Sequence, residues 1–269
     1  DGTGEVLSAF QREHADFNLR VIKAAVAGAG NARNLGMEVA RREYLTFIDD
    51  DDYVSENYLE ELLNASSPDS VAIATVMDVD DNERVSDNII NQQLKNAETY
   101  GSCHYKDVSS VLTMNACKSL PTFLAVQMRY DTGMKSGEDV CFFSRYFARY
   151  SPSLRLAPVS GGATYFRVLT ESSVSRRPQS FDFNVGERLA VIQAIDACYP
   201  FVTDTDKRDF LASKMMAQSN FVRSYLENHR GDISRYAALL QGESINFGYD
   251  KQIAASLADT LVYSYCFAP

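Results

Sequence analysis

The sequence is poor in the features that would settle its class at once. It has 14 glycines and 7 prolines in 269 residues, too few for a collagenous or low-complexity chain. No apolar run approaches the ~18 residues a membrane-spanning helix needs, and the first twenty residues lack the apolar centre of a signal peptide. Positive charge is the minority: 26 Lys and Arg stand against 36 Asp and Glu, a net charge of −10, which argues against nucleic acid as a partner. The five cysteines (Cys103, Cys117, Cys141, Cys198 and Cys266) are odd in number and scattered, with no CxxC pair. That spacing supports neither a zinc site nor a disulfide framework and fits free thiols in a reducing compartment. The three histidines, His14, His104 and His229, are far apart, and nothing local pairs one with a serine or cysteine. Chemistry in this chain falls to its carboxylates.

Apolar residues make up 45% of the sequence, ordinary for a folded soluble chain, and a chain this long buries roughly 70–75% of its surface. Its periodicity alternates. Residues 4–16 read as a helix, Leu19-Arg20-Val21-Ile22 as a strand, and Asn31 caps a helix running to about Arg41 with Ala32, Leu35 and Val39 on one stripe. Gly36 inside that helix implies close backbone packing there. Tyr44–Ile48 reads as a strand, and Ser55 caps the next helix. Val71–Val79 reads as one further strand, 80–100 as a polar surface insertion, 107–126 as mostly helical, and 163–169 as a strand. From about 181 the pattern is helical, most clearly over Lys207–Glu227. The expected fold is α/β, a mostly parallel sheet flanked by helices over 1–180, followed by a helical region over 181–269.

Three constellations carry chemistry. Four consecutive acids, Asp49-Asp50-Asp51-Asp52, follow the Tyr44–Ile48 strand directly, at the strand end where open α/β sheets bind ligands. Acids packed so closely repel one another, and a hard divalent cation relieves the repulsion; a solvated acidic turn is the competing reading. Ser136-Gly137-Glu138-Asp139 opens an apolar helix, either as a helix cap or as the source of a general base. Tyr165-Phe166-Arg167, with Ser172-Ser173-Val174-Ser175-Arg176-Arg177 after it, supplies hydroxyl and basic groups able to close on a diphosphate, or forms an ordinary polar loop.

In order, Asn31-Ala32-Arg33-Asn34-Leu35-Gly36, then Ala40, then Glu43 through Asp52-Tyr53, resembles the family 2 glycosyltransferases of the GT-A (Rossmann-like) fold, in which an Ala-Arg-Asn-x-Gly helix leads to a strand ending in Asp-x-Asp-Asp. Gly137-Glu138-Asp139 resembles that family's Glu-Asp step, and Tyr165-x-Arg167 the stretch after its last core strand. The likeness covers about residues 1–177. The family's two opening strands, the second ending in Asp-Asp-Gly-Ser, have no counterpart, so the sequence reads as beginning just after them.

The resemblance implies inverting transfer of a sugar from a nucleotide-diphosphate sugar, a UDP-sugar in the first place, to a hydroxyl of a glycan or glycoconjugate acceptor, in polysaccharide or glycoconjugate synthesis. It implies Mn²⁺ or Mg²⁺ held by Asp51 with Asp49 and Asp52, Asp139 as general base with Glu138 beside it, and Arg33, Asn34, Asp49 and Arg167 on the donor. The implied location is the cytoplasm, with peripheral association at the inner face of a membrane; Tyr263, Tyr265 and Phe267 are candidates for that contact or for plain core packing. The alternatives are a non-catalytic interaction module on the same scaffold and a different metal-dependent phosphotransfer enzyme.

Overall fold

In a computed structural model of the chain, the residues described are 2–101, 103–169, 180–241, 256, 257 and 259. Helix α1 (Thr3–Glu13) and helix α2 (Ala29–Val39) come first, joined by an extended segment without strand pairing. Leu19–Ile22 is therefore not a strand. A strand exists through its ladder bonds, no described strand lies beside this one, and Val21 and Ile22 stay exposed. Helix α2 starts earlier than Asn31: Gly28 is its N-cap, and the buried face is Gly30, Asn34 and Met37 rather than Ala32, Leu35 and Val39. The close approach also lies elsewhere than expected. A Cβ on Gly36 would meet nothing within 4 Å, whereas one on Gly30 would lie 3.2 Å from both the Asp131 carbonyl oxygen and Tyr130 Cβ.

Short strands β1 (Tyr44–Leu45) and β2 (Tyr53–Val54) bracket the acidic run, and helix α3 (Tyr58–Ala65) follows with Asn57, not Ser55, at its cap. The Val71–Val79 run divides into β3 (Ser70–Ile73) and β4 (Thr75–Val79). At the junction Ala74 N–H donates to Cys117 O, while Thr75 N–H donates to Ala163 O, so the chain changes partners between two sheets within one residue. Residues 80–100 form β5 (Val85–Ser86) and helix α4 (Ile89–Tyr100) rather than an insertion loop. The Asn88 side chain caps α4 by accepting from Asn91 N–H at 2.9 Å, and Ile90, Leu94 and Ala97 bury one face.

The 107–126 stretch is less helical than its pattern suggests: α5 (Ser109–Leu112), then β6 (Lys118–Pro121), then α6 (Thr122–Ala125). The chain continues through α7 (Glu138–Tyr150), β7 (Ser153–Leu156) and β8 (Thr164–Val168). The helices α8 (Glu187–Asp196), α9 (Thr205–Asn228) and α10 (Ile233–Gln241) complete it. One sheet has the order β1-β6-β3-β7, the other β2-β8-β4-β5. Pairing is mixed: β3 with β7 and β4 with β8 are parallel, and the other pairs antiparallel. Helices flank these sheets and a helical region follows, as expected of an α/β chain, but in place of one mostly parallel sheet there are two mixed sheets, with four of the six strand pairs antiparallel.

Every residue of β3 is buried, consistent with an internal strand covered on both faces. Helix α7 turns Phe142, Phe143, Tyr146 and Phe147 inward, with Phe142 stacked on Tyr130 at 4.0 Å between ring centroids. The core continues without a break into α8 and α9 through Leu189, Ile192, Phe210 and Met215. Cys117, Cys141 and Cys198 are buried free thiols, as the scattered spacing implied. Among the described residues no helix is long and apolar enough to cross a membrane.

Candidate active site

The acidic run leaves β1 and reaches β2 through a turn, and the sequence there distributes its four carboxylates unequally. Asp52 points at β8: its Oδ2 accepts from the Tyr165 hydroxyl at 2.6 Å and its Oδ1 from Val168 N–H at 2.8 Å. Burial raises the Asp52 carboxyl above its ordinary range, more than these two hydrogen bonds lower it. The Tyr165 hydroxyl also accepts from Asp49 N–H at 3.1 Å, so one buried tyrosine fixes both ends of the run. Asp49 turns toward α2, where its Oδ1 accepts from Arg33 Nη2 at 2.8 Å. The Asp51 side chain stays exposed between these anchors.

Arg33 is the hub. While Nη2 holds Asp49, Nη1 donates to Glu138 Oε1 at 2.9 Å, so a single guanidinium joins the acidic run to the first turn of α7. Burial works against its charge, but the Asp49 hydrogen bond and the nearby charges of Asp49 and Glu138 hold its pKa above the ordinary value. Beneath it, Asn115 with its amide oxygen toward the guanidinium accepts from both Arg33 nitrogens at 3.1 and 3.2 Å and donates to the Tyr130 hydroxyl at 2.7 Å. The Arg33 guanidinium carbon also lies 5.7 Å from the centroid of the Tyr130 ring.

Asp139 sits next to Glu138 in that same turn. Its Oδ1 accepts from Val140 N–H at 2.7 Å, and burial, reinforced by the Glu138 charge, pushes its carboxyl up to about 6 against the opposing pull of Arg33 and Lys118. The turn is held open by Gly137, at φ +86°, which is the N-cap of α7; Ser136 makes no capping bond, so the expected capping box does not form. Lys118, fully buried in β6, donates to the carbonyls of Val111, Met114 and Ala116, and burial brings its pKa down to about 8.

The sequence of this site has recognisable kin. The profile described as glycosyl transferase family 2 matches residues 1–114. That stretch of the chain is similar to family 2 glycosyltransferases. The chain is similar to the glycosyltransferase GlyG of Streptococcus pneumoniae serotype 4, 41% identical over 63 residues, 23% of this chain and 20% of that protein. The putative glycosyltransferase EpsH of Bacillus subtilis is 33% identical over 72 residues, 26% of this chain and 21% of that protein. These alignments therefore span about a fifth of the relatives' length. Among solved structures, S. aureus TarS 1–349 in complex with UDP-GlcNAc superposes over 99% of this chain and 75% of its own, with TM-score 0.64 and 16% identity. The same protein in complex with UDP covers 98% of this chain and 68% of its own, with TM-score 0.53 and 13% identity. At such identity the likeness is one of fold, and that fold is the GT-A glycosyltransferase fold.

The expected site residues divide. Arg33, Asp49 and Glu138 converge directly, and Asp139 adjoins them. Asn34 faces inward, its two amide ends bonded to the backbone N–H and carbonyl of Tyr130 at 2.8 and 3.0 Å. Arg167 is held by Asp78 across the β4–β8 ladder, at 2.7 and 2.8 Å. Asp52 is committed to β8, and no three His, Cys, Asp or Glu side chains among the described residues stand together as a metal cage. The exposed Asp51 offers a hard oxygen donor, a set that suits Mg²⁺ or Mn²⁺ only with phosphate oxygens and water completing the sphere. Residues 172–177 and the aromatic positions Tyr263, Tyr265 and Phe267 lie outside the described residues. Tyr130 and Asn115, which position Arg33, carried no sequence signal: they are single residues whose role arises only when 115 and 130 meet α2.

Proposed function

We propose that this domain is an inverting glycosyltransferase that moves a sugar from a nucleotide-diphosphate sugar to an acceptor hydroxyl, with Asp139 as general base. The observation that carries the reading is the Arg33 bridge: Asp49 of the donor-side acidic run and Glu138 of the base-bearing turn are held by one guanidinium. Donor and acceptor chemistry then share a single cleft. Asp139 takes the hydroxyl proton as that oxygen attacks the anomeric carbon from the face opposite the departing diphosphate. The carbon–oxygen bond to the diphosphate breaks, and the nucleoside diphosphate leaves with the electron pair. A carboxyl near 6 is ionised at neutral pH yet basic enough for this task. Glu138 holds Arg33 in place, and Arg33 keeps Asp49 at the donor side.

Asp51 is the residue we assign to a Mn²⁺ or Mg²⁺ ion shared with the donor phosphates; when bound, it would neutralise charge on the leaving diphosphate. A UDP-sugar donor is supported by the fold likeness to a protein solved with UDP-GlcNAc and with UDP. We further assign the acceptor to glycans or glycoconjugates in polysaccharide synthesis at the cytoplasmic side of a membrane. The test is a thermal-shift and transfer assay over nucleotide sugars with Mn²⁺ or Mg²⁺. Asp139→Asn should keep donor binding and lose transfer by about 10²–10⁴-fold, and Asp51→Ala should lose the metal-dependent part of donor binding. Undiminished transfer by Asp139→Asn removes the assignment of the base.

A further inference from the structure

Farther along α7 from the Asp139 turn, Arg145 and Arg149 stand one helical turn apart and therefore share a face. Neither makes a hydrogen bond or ion pair among the described residues; the Arg149 guanidinium carbon lies 5.3 Å from the centroid of the Tyr150 ring. Both line a cavity of about 630 Å³ between the C-terminal halves of α7 and α8 and the turn Tyr199–Phe201 that follows α8. Met128, Ala148 and Cys198, all buried, form its floor; Ala194 is half-buried, and Phe201 at the rim is 77% exposed. No acidic side chain lines it, in a chain of net charge −10. Between Glu138 and Arg145, α7 carries the buried Cys141 and Phe142, so about 10 Å of packed helix separates the cavity from the Asp139 turn.

Like charges one helical turn apart repel, and an anion shared between them turns that cost into attraction. A guanidinium fork matches phosphate oxygens, and two forks on one face suit a doubly charged phosphate head better than a single carboxylate. The rest of the lining is apolar, and the volume falls in the range of small-ligand sites. We propose that this cavity binds one molecule of a phosphate-headed, single-chain lipid, with its phosphate on Arg145 and Arg149 and its alkyl chain over Met128, Ala148 and Cys198. Arg149 is exposed and Arg145 half-buried, so the head stays at the mouth and only the chain leaves water. Helix α8 connects the cavity to the catalytic turn: Val191, Ala194 and Cys198 follow at helical spacing, and Val191 is the side chain packed against Gly137. A lipid seated here fastens together the two helices that aim Asp139. Nothing in this site touches the Arg33 network, so it stands independently of the transferase reading.

The test is isothermal titration calorimetry of the full chain with dodecyl phosphate below its micelle concentration. Inorganic phosphate and dodecyl maltoside serve as controls, the first carrying the head alone and the second the chain alone. The expected result is saturable binding of one dodecyl phosphate per chain, at least about tenfold tighter than either control. The double variant Arg145→Gln/Arg149→Gln should bind dodecyl phosphate at least about tenfold more weakly. Ala197→Phe should weaken it as much with both arginines in place, because Ala197 is an exposed lining residue and a ring there obstructs the mouth. Both variants should keep the parent's melting midpoint and its response to UDP; should one melt lower, the other decides. Absence of saturable dodecyl phosphate binding overturns the proposal. Inorganic phosphate binding as tightly makes this a bare anion site and overturns it, and dodecyl maltoside binding as tightly makes it an apolar groove with no use for the arginines. Unchanged affinity in either folded variant places the lipid elsewhere and overturns it too. A parent that takes dodecyl phosphate as expected but gives no response to UDP removes the donor reading and leaves the lipid site standing.

Discussion

At the scale of single residues, the two carboxylates of the α7 turn have separate tasks because their surroundings differ. Glu138 spends its charge on Arg33, whereas Asp139 is raised to about 6 by burial first and by Glu138 second. With Arg33 and Lys118 the charged groups opposing that rise, the catalytically competent form is the ionised one. Transfer should therefore climb as pH passes upward through about 6 and level off above it, read as kcat/KM against pH. Stability runs the other way. A carboxyl whose folded pKa exceeds its unfolded value stabilises the fold below the unfolded pKa, and that contribution is lost as pH rises through the folded one. Asp139→Asn should hence be inactive yet about 1–2 kcal/mol more stable than the parent at pH 8, with the difference shrinking toward pH 4, as measured by urea unfolding. Arg33→Lys makes a separate test of the bridge. An ammonium cannot reproduce a fork that reaches Asp49 and Glu138 together, so kcat/KM should fall by about tenfold or more with a smaller change in stability.

At the scale of elements, Gly137 shows how the turn is aimed. A Cβ there would lie 2.6 Å from Val191 Cγ2 on α8, and the residue already sits at φ +86°. Gly137→Ala should cost about 1–3 kcal/mol and lower transfer by displacing Asp139, measured by melting midpoint and kcat together. The same comparison explains what the sequence could and could not disclose. The acidic run and the Glu138-Asp139 step were legible because each is a compact string at an element boundary, and α9 because it is long and well patterned. Strand β6 was hidden: it opens on Lys118 and closes on Pro121, residues that read against a buried strand until Val111, Met114 and Ala116 supply acceptors for the ammonium. Helix α4 was hidden because Ile90, Leu94 and Ala97 are sparse among polar neighbours. Leu19–Ile22 had the composition of a strand without the neighbour that makes one. The division of labour among Asp49, Asp51 and Asp52 was illegible, since it is set by Arg33 and Tyr165 from distant elements.

At the scale of the whole molecule, the helices after residue 180 share one core with the sheets that carry the acids. Phe210 of α9 meets Tyr105 and Phe147 at 6.0 and 5.9 Å between ring centroids, and Tyr105 meets Phe147 at 5.3 Å. Beside them the Asp206 carboxylate accepts from the backbone N–H groups of Tyr105 and Lys106 at 2.7 and 3.1 Å. Pulling α9 away would expose this aromatic knot, orphan two backbone donors and strip Gln218 from Arg188. The sheet and the helical region should therefore unfold as one unit. The chain has 15 tyrosines and no tryptophan, so tyrosine signals report on side-chain packing across the molecule while far-ultraviolet circular dichroism reports on the helices. Urea transitions by the two probes should coincide, and Phe210→Ala should move both together, by about 3–5 kcal/mol for a fully buried ring. If the tyrosine signal changes in a step separate from the loss of helix, α8 and α9 are an independent unit, and the base on α7 is held by its own turn rather than by the helices packed against it.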